Sequence, residues 1–150
     1  MELRQYAAYG FLGGVVGAIA VVLCSFVLHY SGIGPRLGAD SAVTLASPDI
    51  YRPLFWGGLW GIPFGMMMRK LGDGLYLYGF IYFLAPVAAL FLIFAPLQGM
   101  GFFALDKGPS FTLYLVLVNM PFGIVTAAAA KWISAEERHE TSLSVARQSG

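Results

Sequence analysis

The architecture expected of this chain follows from one glycine-rich stretch, residues 56–68 with the sequence WGGLWGIPFGMMM, which the basic pair Arg69-Lys70 closes. Its glycines recur every four residues and form what we call the glycine strip: Gly57, Gly61 and Gly65. On an α-helix this spacing gives one flat face, along which a second helix backbone can approach closely. The stretch has no ionisable group, and a basic pair at its end is typical of a membrane helix that has reached the cytoplasmic headgroups. It therefore predicts a transmembrane helix that packs through small residues.

The composition of the whole chain also favours a membrane location. Of its 150 residues, 58% are hydrophobic and 11% are charged, and the mean hydropathy is +0.72. These values lie well away from those of an average soluble domain. The net charge is +1, and no basic run extends beyond the pair at 69–70, which argues against nucleic-acid binding.

Four apolar segments predict an all-α integral membrane protein with four transmembrane helices. They cover approximately residues 6–30, 50–68, 75–97 and 111–133. Residues 1–133 are thus expected to form the bundle, and residues 134–150 a polar cytoplasmic tail that frays from helix into disorder. The first segment exceeds the roughly 7–15 apolar residues of a signal-peptide core, so we expect it to be retained. The second has an uncharged part that rises only about 24 Å, so Arg52 and the pair at 69–70 must help it to reach both interfaces.

Glycine and proline residues mark the connections between these segments. Residues 31–49 and 98–110 are predicted to form outer loops, and residues 71–74 a turn short enough for a helical hairpin. Basic residues near the segment ends number six on one side (Arg4, Arg69, Lys70, Lys131, Arg138 and Arg147) and three on the other (Arg36, Arg52 and Lys107). The positive-inside rule then predicts that both termini are cytoplasmic, and the short loops suit a bacterial inner membrane.

Two short motifs occur twice and in the same order. Tyr9–Phe11 in the first segment returns as Tyr78–Phe80 in the third, and Ile62–Gly65 in the second returns as Met120–Gly123 in the fourth. The pattern predicts two copies of one helical hairpin, related by an axis along the membrane normal. Coincidence is the alternative, because three-residue matches among Gly, Phe and Tyr arise easily in apolar sequence.

Small residues provide further packing faces in the first and fourth segments. Four-residue spacings in the first segment predict a face that meets the glycine strip, as in a glycine zipper. The predicted helix-packing residues are Gly10, Gly14, Gly17, Gly57, Gly61, Gly65 and Gly123.

Few residues in the predicted transmembrane segments have a polar side chain or interrupt a helix. Asn119 is the most polar of them, and it either seals an interhelical hydrogen bond or contacts a ligand. Pro63 and Pro121 interrupt helices at corresponding positions of the two predicted halves. In transporters such breaks point to a binding site, whereas the alternative is two kinked helices that pack closely. His29 lies at an outer helix end, where it either ligates a pigment or bonds to a neighbour or lipid.

The sequence predicts no metal site, no cofactor and no enzymatic activity. The two histidines, His29 and His139, are expected on opposite sides of the membrane, and the single cysteine, Cys24, excludes an intrachain disulfide or thiolate cluster. No Asp, Glu, Lys or Arg lies in the central part of a predicted helix, which argues against an ion-coupled pump. The charged loop residues have no spacing tied to a reaction.

Three functions remain open at this point. The leading hypothesis is a non-enzymatic accessory or scaffolding subunit, which meets a membrane-protein partner or a second copy in the lipid bilayer through its packing faces. The second is a small transporter or channel for a neutral or hydrophobic solute, with Pro63, Asn119 and Pro121 along its path. The third is a lipid-, quinone- or pigment-binding subunit, suggested by the aromatic residues and His29.

Overall fold

The computed structural model describes residues 2–148, and every regular element within that range is helical. Three segments are long and apolar enough to cross a membrane: Leu3–Tyr30, Tyr51–Leu97 and Pro109–Glu137. The all-helical architecture and these apolar spans agree with the prediction of a helical membrane protein.

The helices follow one another with few irregular connections. The first part of the chain contains α1 (Leu3–Tyr30), the short α2 (Ile33–Arg36) and α3 (Tyr51–Leu71), which a 3-10 turn (Gly72–Gly74) follows. The next part contains α4 (Leu75–Tyr82), α5 (Leu84–Ala89), a π-helical segment (Leu90–Phe94) and α6 (Ala95–Leu97). A 3-10 segment (Phe102–Lys107) then leads to α7 (Pro109–Asn119) and α8 (Pro121–Gln148).

The middle span folds back on itself at Gly72, which has a φ of +47° that glycine adopts without a side-chain clash. Two contacts join its arms. The Tyr82 hydroxyl donates a hydrogen bond of 2.7 Å to the Trp60 carbonyl, and the ring centroids of Trp56 and Phe94 are 5.0 Å apart. A straight helix would separate Trp60 from Tyr82 by about 33 Å. The arm from α4 to α6 therefore runs antiparallel to α3.

Proline residues coincide with helix breaks in the α4–α6 arm and between α7 and α8, but not in α3. α5 begins after a break at Phe83, one turn before Pro86, and α8 begins at Pro121 after a break at Met120. Proline lacks an N–H group and clashes with the carbonyl four residues earlier, which explains a break on its N-terminal side. Pro63 behaves differently from the sequence expectation, because α3 continues through it from Tyr51 to Leu71.

The last helix extends beyond residue 133, where the sequence analysis ended it, and continues through the polar segment to residue 148. Its polar part is joined to α1 at Glu137. That carboxylate accepts hydrogen bonds from the Tyr9 hydroxyl and, at 3.5 Å, from the side-chain amide of Gln5. The segment between 134 and 148 also contains neither glycine nor proline, so nothing local ends the helix.

The loop between α2 and α3 folds back onto α1 and α7. The Oγ atom of the fully buried Ser25 donates to the Val22 carbonyl at 2.7 Å and accepts the Val43 N–H at 3.2 Å. Earlier in the loop, Ala39 is buried in one cluster with Tyr114 and Val118. This loop is therefore part of the core at the end of the bundle where α1 ends and α3 begins.

Ser25→Ala is expected to loosen this loop. The change leaves the partly buried N–H group of Val43 without its acceptor, at a cost of about 1–3 kcal/mol. Limited proteolysis between residues 37 and 49 should therefore be faster than in the unmodified protein. Ser31→Ala is the matched control, because the Ser31 hydroxyl donates only to the exposed Leu28 carbonyl. Equal protease sensitivity of the two variants would contradict the role of Ser25.

Candidate functional site

α1 and α3 meet through their glycines. A Cβ atom at Gly61 would lie 2.0 Å from the Gly10 oxygen, and one at Gly14 would lie 2.1 Å from the Gly57 oxygen. A Cβ at Gly65 would lie 2.6 Å from the Gly10 Cα. Contacts below 3.0 Å essentially do not occur for real Cβ atoms, so only a hydrogen fits at these positions. The structure thus places the glycine strip against the glycine face of α1.

A second set of close contacts involves α8. A Cβ atom at Gly123 would lie 1.9 Å from the Gly79 oxygen in α4. A Cβ at Gly17 in α1 would lie 2.2 Å from the Thr126 Oγ1 atom and 2.8 Å from the Phe122 oxygen. Every glycine that the sequence analysis named as a packing residue therefore packs against another helix of the same chain.

A cavity of about 380 Å³ lies between α1, α3, the α5–α6 arm and the α7–α8 junction. Its lining comprises Ala18, Val21, Arg52, Pro53, Trp56, Gly57, Trp60, Pro86, Leu90, Phe94, Gln98, Asn119 and Phe122. Most of these side chains are apolar or aromatic, and three of them, Arg52, Gln98 and Asn119, have polar ends. The cavity thus combines a largely apolar wall with a few polar groups.

One face of α3 supplies the longest wall of the cavity. Arg52, Trp56 and Trp60 are spaced four residues apart, which places them on the same side of the helix. The Trp56 ring meets Phe94 edge to face, with an interplanar angle of 68°. Arg52 precedes Trp56 by one turn and Gln98 follows Phe94 by one turn, so these two polar side chains lie beyond the aromatic pair, toward the beginning of α3 and the end of α6.

Asn119 lies at the end of α7, where the chain breaks before Pro121. Its Nδ2 group donates a hydrogen bond of 2.8 Å to the Leu115 carbonyl, four residues earlier in the same helix. This bond is within one helix rather than between two helices. It holds the side-chain amide in the wall of the cavity.

The other predicted contact residues do not line the cavity. Pro63 is exposed on α3, and Pro121 is half-buried at the beginning of α8. His29 is half-buried near the C-terminal end of α1, with its ring centroid 5.4 Å from that of Tyr30. Its Nδ1 atom is buried and has no hydrogen-bond partner within residues 2–148. Of the four predicted contact residues, the structure brings only Asn119 to the cavity.

Sequence reasoning missed the three α3 residues that form the long wall. Arg52 was expected only to help its helix reach the membrane interface, and Trp56 and Trp60 appeared only as part of the glycine-rich stretch. A signal for them exists, because their four-residue spacing is the same as that of the glycines. That spacing puts a basic and two aromatic side chains on one helix face, although it does not reveal what the face meets.

A scan against protein-family models, a search of curated proteins and a search of solved structures each give no match.

Proposed function

We propose that this chain is a small polytopic membrane protein that binds a small, largely apolar solute, as a transporter or channel does. The cavity beside Asn119 is the observation that carries the proposal. Its volume of about 380 Å³ falls within the roughly 300–1,000 Å³ that is typical of ligand pockets. Such pockets have apolar and aromatic walls with a few convergent polar groups, which is the composition of this lining.

We also propose that the chain crosses a bacterial inner membrane four times, with both termini in the cytoplasm. The 21 residues of α3 rise about 32 Å, which matches a hydrocarbon core of about 30 Å. The returning arm from α4 to α6 has a similar length, so each arm of the middle span is long enough to cross separately. The excess of basic residues beside the termini supports the orientation.

The two-hairpin repeat is part of the same proposal, and two glycine contacts support it. The alignment of the two motifs pairs Gly10 with Gly79, and Gly65 with Gly123. Gly10 packs against Gly65 between α1 and α3, and Gly79 packs against Gly123 between α4 and α8. Corresponding glycines therefore make corresponding contacts in a glycine zipper, as expected of two copies of one hairpin.

The accessory-subunit hypothesis becomes weaker than the proposal of solute binding. Its motivation was that glycine faces were available for a partner or for a second copy. Those faces are covered by helices of the same chain, so a partner would need a different surface.

Filling the cavity should abolish solute binding without unfolding the protein. Leu90→Trp places a larger side chain in the lining and is expected to weaken binding of the neutral apolar fluorophore 1-aminoanthracene by at least about tenfold. Binding is measured by energy transfer from tryptophan, with the protein in phosphatidylcholine nanodiscs. Leu92→Trp is the matched control, because Leu92 lies in the same π-helical segment but is exposed. Equal binding by the two variants would contradict a solute site in this cavity.

A further inference from the structure

Arg52 is the one charged side chain in the cavity lining. Among the side chains that the structure describes, Arg52 forms no ion pair. A guanidinium group stays protonated at any physiological pH, and its planar fork of N–H groups matches the oxygens of a carboxylate or phosphate. The cavity therefore offers an anion a fixed positive charge that no described acidic residue neutralises.

The remainder of the cavity is suited to an apolar chain. From Arg52 the wall of α3 continues through Trp56 to Trp60, a rise of about 12 Å. The Phe94 ring contacts the Trp56 ring edge to face, with 5.0 Å between the ring centroids, and extends this aromatic wall. Gln98 lies one turn beyond Phe94 and adds an amide donor near the same end as Arg52. Charge and hydrogen-bond donors thus gather at one end of an aromatic wall.

We propose that the natural occupant of this cavity is an amphipathic anion, with an acyl chain along Trp56 and Trp60 and an oxygen-rich anionic head at Arg52. The inference rests on the proposed solute-binding function and deepens it by naming the class of solute. A cation is disfavoured because Arg52 repels it. A fully apolar solute leaves the guanidinium group without the anionic partner for which its geometry is suited. The head can belong to a free fatty acid or to an anionic phospholipid.

The test uses brominated acyl chains, which quench tryptophan fluorescence on contact. The chain has three tryptophans, so a Trp132→Phe background leaves Trp56 and Trp60 as reporters. The protein is placed in phosphatidylcholine nanodiscs at alkaline pH and titrated with dibromostearic acid, with its methyl ester and with dibromo-acyl phosphatidylglycerol. We expect saturable quenching by the free acid, and at least about tenfold weaker binding of the neutral ester.

Two arginine variants locate the charge that is responsible. Arg52→Gln should reduce binding of the acid to the level of the ester. Arg36→Gln is the matched control, because Arg36 is a basic residue of α2 that does not line the cavity. This variant should bind the acid as tightly as the unmodified protein does. Phosphatidylglycerol that binds as tightly as the acid would identify a membrane lipid as the source, whereas binding of the acid alone would identify a free fatty acid.

Two other outcomes separate the failure of this inference from that of the proposed function. If acid and ester quench equally and saturably, and Arg52→Gln changes neither, the proposal of an anionic occupant is overturned and the proposal of solute binding stands. If no probe quenches saturably, and 1-aminoanthracene binding is the same in Leu90→Trp and Leu92→Trp, both proposals are overturned.

Discussion

Replacing Gly61 with alanine should destabilise the fold by more than about 3 kcal/mol. The new Cβ atom would lie 2.0 Å from the Gly10 oxygen and 2.8 Å from the Gly14 Cα. Both neighbours are backbone atoms, which cannot rotate aside as a side chain can, so α1 and α3 must move apart along their whole contact. Alanine favours a helix by about 1 kcal/mol over glycine, and the clash has to exceed that gain. Thermal unfolding in mild detergent, followed by circular dichroism, measures the effect.

Gly58→Ala is the matched control for this prediction, because it makes the same change three residues earlier in α3. There the nearest atoms belong to the Phe11 ring, at 2.6 Å, and that side chain is exposed and can turn away. We expect Gly58→Ala to unfold at a temperature close to that of the unmodified protein. If Gly61→Ala were as stable as Gly58→Ala, the close contact of α1 and α3 would not be what holds the first hairpin together.

Gly123→Ala should have an effect of similar size in the second half of the chain. Its Cβ atom would lie 1.9 Å from the Gly79 oxygen and 3.0 Å from the Phe83 backbone nitrogen, so α4 and α8 must separate. The expected loss is again more than about 3 kcal/mol, measured by the same thermal unfolding. Gly74→Ala is the control, because its Cβ would meet only the ring of the exposed Tyr78.

Comparison with Gly65→Ala extends this experiment to the internal repeat. Gly65 and Gly123 are equivalent positions in the aligned motifs, and a Cβ at Gly65 would lie 2.1 Å from the Tyr6 oxygen. Two copies of one hairpin should therefore lose similar amounts of stability in the two variants. A severe loss in Gly65→Ala together with a mild one in Gly123→Ala would argue that the matching motifs are coincidental.

Much of this architecture is predictable from local sequence. The apolar runs indicate the helices because a backbone in lipid must satisfy its own hydrogen bonds. Gly72–Gly74 indicates the reversal in the middle span, since a positive φ needs glycine. The four-residue spacing of Gly57, Gly61 and Gly65 indicates a face that needs close contact. Each of these signals lies within a few residues of the feature that it predicts.

The cavity and its wall are not predictable in the same way. A cavity is the space left where faces of separate helices fail to fill one another, so no single segment encodes it. Asn119 was identified because an amide is conspicuous in an apolar run. Arg52 was not, because a basic residue at a helix end already has an ordinary explanation. The burial of Ala39 was not predicted either, because the sequence of a loop does not show which helices the loop contacts.

The contact between Gly17 of α1 and Phe122 and Thr126 of α8 has a consequence for biogenesis. A ribosome delivers α1 before α8, and about one hundred residues separate Gly17 from Phe122. The glycine face toward α3 can be covered as soon as α3 has been synthesised, whereas the face at Gly17 stays open until α8 has been synthesised. The insertion machinery or lipid must cover that face in the meantime. A chain truncated before α8 would keep the contact between α1 and α3 and would lack the contact between α1 and α8.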